Sequence, residues 1–277
     1  MFVFPPDVHS LIIQLMKQVL APIVSCTEAM PGSHLIWVEA MEIAAGARSG
    51  QFVTVRCGED VLLRRPLSIH RTDGGKLALL FAIVGQGTEW LSKRTAGESL
   101  DILGPLGNGF KIHQGSQKLL LLAGGIGVAP LVTLAEKAVA DGLSVRFVLG
   151  AATSSQLYPQ DLVTRGIELT RVTEDGSAGE KGIVTDLLPP LAGWADQVFA
   201  CGPIPMYRAM AGMLGDKPAQ VLLEQVMGCG VGACRGCGVP TNQGIKLVCQ
   251  DGPVFDLRGI NWEEVREPGL SRLKESA

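Results

Sequence analysis

Four of the chain's seven cysteines fall within MGCGVGACRGCGVPTNQGIKLVCQ at 227–250, spaced Cys229-x4-Cys234-x2-Cys237-x11-Cys249. Thiolates at such intervals ligate metal. Three in a tight glycine-rich loop and a fourth from a following hairpin match the plant-type 2Fe-2S pattern. Two irons need four converging sulfurs, so the loop must wrap around them. Gly228, Gly230, Gly232, Gly236 and Gly238 let the backbone turn sharply and aim N–H groups at sulfur. Such N–H groups spread the negative charge and raise the reduction potential. Structural zinc also takes four cysteines, but zinc ribbons show two matched C-x2-C knuckles and this stretch has one. The two readings part on colour: a zinc-binding interaction module is colourless, an iron–sulfur protein coloured. Cys26, Cys57 and Cys201 are scattered, as expected of small buried hydrophobes, and an odd total argues against a disulfide framework.

Two further stretches could do chemistry. Arg65-Pro66-Leu67-Ser68 ends a strand pattern; its arginine could neutralise a pyrophosphate and its serine hydrogen-bond a flavin ring nitrogen. A strand-end arginine paired with a carboxylate would read the same way. Downstream, Leu80-Phe81-Ala82 leads to Gly85-Gln86-Gly87-Thr88 before the helix-like TEWLSKR, where glycine would admit a phosphate to backbone N–H groups. The run LLLLAGGIGVAP places Gly124, Gly125 and Gly127 in a strand-to-helix turn, with Pro130 in the first helical turn. This turn could admit a dinucleotide pyrophosphate or serve packing alone, and it is not the G-x-G-x-x-G fingerprint. Cys201-Gly202-Pro203 ends a later strand on the same carboxyl edge, where open α/β sheets bind ligands. Cys201 could touch a nicotinamide there or be a small buried residue. His70 and His113 read as surface or packing histidines without acid–base duty.

The elements that must position these groups follow from periodicity. Over 21–112 short alternating runs such as SHLIWVEAM, QFVTVRCG and KLALLFAIVG, broken by glycine and aspartate, predict an antiparallel barrel. From about 117 continuous apolar runs (KLLLLAGG, SVRFVLGA, DQVFACGP) alternate with helical patterns (APLVTLAEKAVADG, PMYRAMAGMLGD), predicting a doubly wound parallel sheet. The fold class is therefore α+β and multidomain. Its expected parts are an N-terminal extension at 1–20, an antiparallel β-barrel at 21–113, a doubly wound α/β nucleotide domain at 114–222 and a small C-terminal cysteine-loop domain at 223–277. A short amphipathic helix is expected around 7–19.

Hydrophobic residues are 47% and charged residues 18% of the 277, with a formal net charge of −3, so the chain can bury cores and has no basic stripe for nucleic acid. Apolar runs are far shorter than a membrane span, and the opening lacks the basic start of a signal peptide, so a cytoplasmic location is expected.

The order RPLS, GGIGVAP, CGP resembles the ferredoxin–NADP reductase superfamily, a flavin barrel followed by a nicotinamide domain. The cysteine segment LLEQVMGCGVGACRGCGVPTNQGIKLVCQDGPVFD narrows the resemblance, over roughly 21–265, to the electron-transfer subunits of dihydroorotate dehydrogenase B. That resemblance implies FAD bound by Arg65, Pro66, Leu67, Ser68, Leu80, Phe81, Ala82, Gly87 and Thr88. It implies a 2Fe-2S cluster on Cys229, Cys234, Cys237 and Cys249, and NAD(H) bordered by Gly124 to Pro130 and by Cys201, Gly202 and Pro203. It further implies an FMN-containing dihydroorotate dehydrogenase catalytic subunit as partner, in a heterotetramer of two of each, working in pyrimidine (UMP) biosynthesis. Many reductases of the superfamily have tyrosine where Leu67 stands, so an aromatic stack on the flavin is missing. The cofactor is expected to be NAD rather than NADP, because ATSSQLYPQD after VLGA holds no base before Arg165. Flavin subunits of ferredoxin:NADP transhydrogenase, sulfite reductase or hydrogenase type are the nearest alternatives, and these often carry aspartate at the position of Cys229. A standalone oxygenase reductase, needing no FMN partner, is a third.

Overall fold

A computed structural model describes residues 16–266. The strand-rich first part closes into a six-stranded antiparallel barrel. Its strands are β1 (Lys17–Met30), β2 (Ser33–Glu39), β3 (Phe52–Val55), β4 (Arg65–Asp73), β5 (Lys76–Ala82) and β6 (Ser99–Leu106), in spatial order β1-β2-β5-β4-β3-β6. Alternation fills the interior: Leu67 and Ile69 of β4 join Val53, Val55, Leu79 and Ile102 in the barrel core. The two-residue turn between β4 and β5 is Gly74-Gly75, both at positive φ, as a twisted hairpin requires. Between these strands lie α1 (Met41–Ala44) and α2 (Gln86–Ser92).

The helix expected at 7–19 lies mostly outside the described residues. Of its span, Lys17, Gln18 and Val19 are strand, paired with Gly104, Leu103 and Ile102 of β6. Val19 packs on the barrel core, and pairing β1 with β6 closes the barrel, which outweighs any local helical preference.

The second part is a seven-stranded sheet in the order β10-β9-β8-β7-β11-β12-β15. Its strands are β7 (Lys118–Gly124), β8 (Ser144–Ala151), β9 (Ile167–Thr173), β10 (Glu180–Lys181), β11 (Gln197–Cys201), β12 (Ala219–Leu222) and β15 (Val254–Asp256), with helices α3 (Val132–Ala140), α4 (Leu188–Ala192) and α5 (Ile204–Leu214). The continuous apolar run of β7 is explained by its two covered faces. Leu119 and Leu121 face a core shared with α3 and with Leu35, Ala78 and Leu80 of the barrel. Leu120 and Leu122 face the opposite core, with Tyr207 and Met210 of α5. Each such leucine contributes about 1.5–3 kcal/mol over exposure.

The cysteine segment has no separate core. Cys237, Val239, Leu247, Val248 and Cys249 belong to the same cluster as Leu120 and Leu122. A hairpin of β13 (Gly238–Thr241) and β14 (Gly244–Leu247) follows the loop, and β15 returns to pair antiparallel with β12 at the sheet edge. Among the described residues no helix is long and apolar enough to cross a membrane.

Candidate functional site

The cysteine loop forms as a series of tight turns. Gly230 and Gly232 adopt positive φ, and so does Arg235, at 59°. The turns aim backbone N–H groups at sulfur. Val231 and Cys234 donate to Cys229 Sγ at 3.4 and 3.3 Å. Gly232 donates to Cys249 Sγ at 3.1 Å, Gly236 to Cys234 Sγ at 3.5 Å and Cys249 to Cys237 Sγ at 3.4 Å. All four sulfurs therefore accept backbone N–H groups, as the glycine spacing predicts.

The sulfurs lie as two pairs. Cys237 and Cys249 are buried with Sγ atoms 3.3 Å apart, and Cys229 lies beside the Cys234 side chain on the more open side. Among the described residues no three His, Cys, Asp or Glu side chains gather to hold one metal ion. Two pairs suit two irons better than one tetrahedral zinc. Burial works against the Cys229 thiolate, but the N–H groups of Cys234 and Val231 outweigh it and bring this thiol down to about 7. Burial, then the Cys237 thiol, push Cys249 up to about 12, so a bound cation must drive off its proton. The donor set fits a 2Fe-2S cluster.

The flavin candidates also fit their group. The carboxylate-paired arginine is Arg64, whose guanidinium meets Asp101 at 2.5 Å. Arg65 donates only to the Leu63 carbonyl, at 2.8 Å, and meets no carboxylate among the described residues. Its side chain crosses Gly87, where a Cβ would sit 2.7 Å from Arg65 Nε. Ser68 Oγ has no hydrogen-bond partner among the described residues, and the buried Thr54 Oγ1, in the strand beside Pro66, has none either. Pro66 is half-buried. Thr88 Oγ1 is taken by the turn: it accepts from Val84 N at 2.9 Å and donates to the Gly85 carbonyl at 3.0 Å. Leu67 and Phe81 commit their side chains to the barrel core and Leu80 to the core shared with the sheet, leaving backbone and the half-buried Ala82 for a cofactor.

The nicotinamide candidates converge at the point where strand order reverses, between β7 and β11. Cys201 pairs with Ala123, so the two turns leave adjacent strand ends. Their glycines divide the work. A Cβ at Gly127 would collide with the Cys201 carbonyl, and one at Gly124 would lie 2.9 Å from Pro203 Cδ. These two glycines let the turns touch. Gly125, at φ 56° with nothing within 4 Å of a Cβ, faces open space. Pro130 is buried but is not in a first helical turn: Gly125–Val128 forms a 3₁₀ turn and α3 begins only at Val132. At this candidate site the open feature is thus a left-handed glycine and a 3₁₀ turn rather than an α-helix end.

Three groups here carry no sequence signal. Tyr207 Oη accepts from Gly202 N at 2.8 Å and donates to the Leu222 carbonyl at 2.6 Å, fastening the CGP turn to β12. Glu224 is exposed, just past the end of β12. Its charge acts on Cys201, whose thiol is pushed up mainly by burial. The third is His70, expected at the surface or in packing. It is fully buried, with Nδ1 2.9 Å from the Ala129 carbonyl and Nε2 3.0 Å from Tyr158 Oη.

A closed flavin-type barrel, a doubly wound nucleotide sheet and a four-cysteine loop together define a reductase of the ferredoxin–NADP reductase fold carrying an iron–sulfur domain. A family model for the iron–sulfur cluster binding domain of dihydroorotate dehydrogenase B matches residues 224–261. The chain is 41% identical over 246 residues, 84% of its length and 94% of the relative's, to the dihydroorotate dehydrogenase B (NAD(+)) electron transfer subunit of Desulforamulus reducens. It is 40% identical to that of Bacillus mycoides, covering 75% of this chain and 85% of the relative. The chain belongs to the family of dihydroorotate dehydrogenase B electron transfer subunits. Among solved structures, the NADH-dependent reduced ferredoxin–NADP oxidoreductase superposes with a TM-score of 0.81 at 31% identity, covering 93% of this chain and 94% of that one. The ferredoxin reductase of carbazole 1,9a-dioxygenase shares the fold, with a TM-score of 0.63 at 19% identity over 73% and 66% of the two chains.

Proposed function

We propose that this chain passes electrons between NAD(H), FAD, a 2Fe-2S cluster and the FMN of a dihydroorotate dehydrogenase catalytic subunit, in pyrimidine biosynthesis. The observation that carries it is the seating of the cysteine loop on the flavin strand pair. A Cβ at Gly230 would lie 2.8 Å from Thr54 Cγ2, and Thr54 pairs with Pro66 of the RPLS stretch. When bound, FAD supplies the conversion between two-electron hydride chemistry and one-electron transfer, and the cluster supplies a one-electron station.

The chain's own residues bind and orient. Arg65 supplies a cation without a carboxylate partner for a pyrophosphate, and the half-buried Ser68 offers a hydroxyl to a ring. Gly87 and Thr88 build the adjoining turn. The turns at Gly124, Gly125, Gly127 and Pro130 and at Cys201, Gly202 and Pro203 shape the nicotinamide site. Cys229, Cys234, Cys237 and Cys249 hold the cluster, with the Cys237–Cys249 pair shut away from water. Dihydroorotate itself is handled by the partner, so this chain needs no acid–base residue. The partner forms a heterotetramer with it, two of each, and the reading carries a cytoplasmic location, in keeping with the free thiols of Cys26, Cys57 and Cys201.

The match to the NADH-dependent ferredoxin–NADP oxidoreductase structure, over 93% of this chain and 94% of that one, gives a second reading, a subunit of that kind of complex. One experiment separates them. The anaerobically purified chain, co-expressed with a candidate FMN-containing catalytic subunit, should co-elute with it, show flavin and iron–sulfur absorbance, and give a 2Fe-2S paramagnetic signal on dithionite reduction. Dihydroorotate should then reduce NAD+. Zinc without iron or labile sulfide would overturn the assignment. Turnover with ferredoxin but not dihydroorotate would favour the second reading.

A further inference from the structure

The strand that offers Arg65 to Ser68 to the flavin continues, two residues on, into the nucleotide domain's polar grip. Register on β4 shifts between Ile69 and Arg71: Ile69 pairs with Leu79 and Arg71 with Ala78, so His70 is an extra residue without a partner in β5. A bulge of this kind re-aims side chains. Strict alternation after Leu67 and Ile69 would send Arg71 into the barrel core. His70 faces out by alternation, and the bulge turns Arg71 out beside it, both toward the sheet.

There they grip three segments. His70 Nδ1 donates to the Ala129 carbonyl, at the end of the glycine turn, and Nε2 accepts from Tyr158 Oη, in the loop after β8. This is the tautomer that two such partners select. The His70 carbonyl accepts from Thr133 in the first turn of α3. Arg71 meets Glu136 of α3 at 2.7 Å and donates to the Leu162 carbonyl. Thr164 Oγ1 donates to the same Glu136 carboxylate, at 2.8 Å, tying the far end of that loop down. Ala129 and Tyr158 belong to the connections leaving the carboxyl ends of β7 and β8, the edge at which such sheets hold ligands. A fully buried imidazole used only as filler would be costly; with both nitrogens bonded it becomes a rigid spacer.

We infer that His70 is a positioning residue for hydride transfer: bridging the Ala129 carbonyl and the Tyr158 hydroxyl, it fixes the nicotinamide edge of the sheet relative to the flavin-binding end of β4. The inference rests on the assignment of flavin and nicotinamide made above. It predicts a division of labour. Loosening the spacer shifts the nicotinamide relative to the flavin and slows hydride transfer, while electron passage from flavin to cluster is untouched, because the cysteine loop rests on Thr54 of β3, away from His70.

The test uses the anaerobic holo complex and three variants. His70→Phe removes both bonds while keeping a ring. His70→Asn keeps an N–H donor where Nδ1 stands. Tyr158→Phe removes only the second bond. Two rates are read by stopped flow: flavin bleaching at saturating NADH, and reoxidation of the dithionite-reduced protein by cytochrome c. His70→Phe should slow bleaching about 30- to 100-fold, the scale of an ångström misplacement, and leave reoxidation within about twofold. His70→Asn should recover most of the loss, and Tyr158→Phe should lose about three- to tenfold. Amide hydrogen exchange gives a readout independent of turnover: in His70→Phe it should rise over 125–130 and 153–162 and stay unchanged over β1 to β3. Equal falls in both rates, or no fall in bleaching with either Phe variant, would overturn the inference. If His70→Phe does not fold, Tyr158→Phe, which deletes one oxygen, carries the test. A wild-type protein that NADH fails to bleach would instead overturn the functional assignment, and the two failures are distinct.

Discussion

Gly230 of the cysteine loop rests on Thr54 of β3, so closely that a Cβ at 230 would stand 2.8 Å from the threonine methyl. Thr54 pairs with Pro66, so one strand pair separates the candidate cluster loop from the candidate flavin strand.

Gly230→Ala should therefore damage one half of the relay. Its φ of 74° costs an alanine about 1–2 kcal/mol, and the methyl must also push Thr54 or the loop away. Reoxidation of the reduced protein by a one-electron acceptor should slow and the iron content fall, while bleaching by NADH keeps its wild-type rate. Iron analysis and the two stopped-flow rates check this.

Gly127→Ala should damage the other half. Its Cβ would collide with the Cys201 carbonyl and force the two sheet-edge turns apart, overpacking worth about 1–3 kcal/mol. Apparent affinity for NADH should drop at least tenfold with FAD content unchanged, as titration of the oxidised holoprotein would show.

Adjacent arginines should part company. Arg65→Ala removes a cation without a carboxylate partner and should weaken FAD retention about 10- to 100-fold, the worth of a charge-assisted hydrogen bond. Arg64→Ala breaks the Asp101 pair and should lower stability modestly with FAD content intact. Flavin released on dilution separates the two.

Acid should loosen the domain junction. Burial, opposed by the Ala129 carbonyl and reinforced by Arg71, lowers the His70 pKa to about 4, below the 6.5 of a free imidazole. The groups facing it are Arg71, Tyr158, Glu136 and, through Tyr158, Asp161. Below pH 6.5 the unfolded chain takes up a proton that the folded chain refuses. The stabilisation is thus complete above pH 6.5 and is lost progressively toward pH 4, about 2 kcal/mol of it by pH 5. His70→Asn should flatten this part of the Tm-against-pH curve.

What was legible in the sequence was local chemistry. The cysteine spacing specifies ligation because loop ligands lie close in sequence, and in the turns the glycines allow, Gly232, Gly236 and their non-glycine neighbours aim N–H groups at all four sulfurs. The buried strand KLLLLAG declared its two covered faces by lacking alternation. Groups whose meaning is a distant partner stayed silent. His70 is an isolated histidine in the chain, and neither its bulge nor Tyr158, 88 residues away, leaves a local mark. Tyr207 and Glu224 acquire their surroundings only when the sheet assembles. At Lys17 to Val19, the described end of the 7–19 stretch, strand replaces the expected helix, because a short apolar run fits either and pairing with β6 decides.

The return of β15 to the sheet edge has one more consequence. With Val254–Asp256 hydrogen-bonded to β12 and both buried cysteines sharing the sheet's own core, the redox terminus is not a swinging arm on a tether. Its distance to the flavin strand is built in at folding and needs no docking event at each turnover. A chain cut after β12 should expose a raw strand edge and an apolar face and aggregate, rather than survive as a simpler diaphorase.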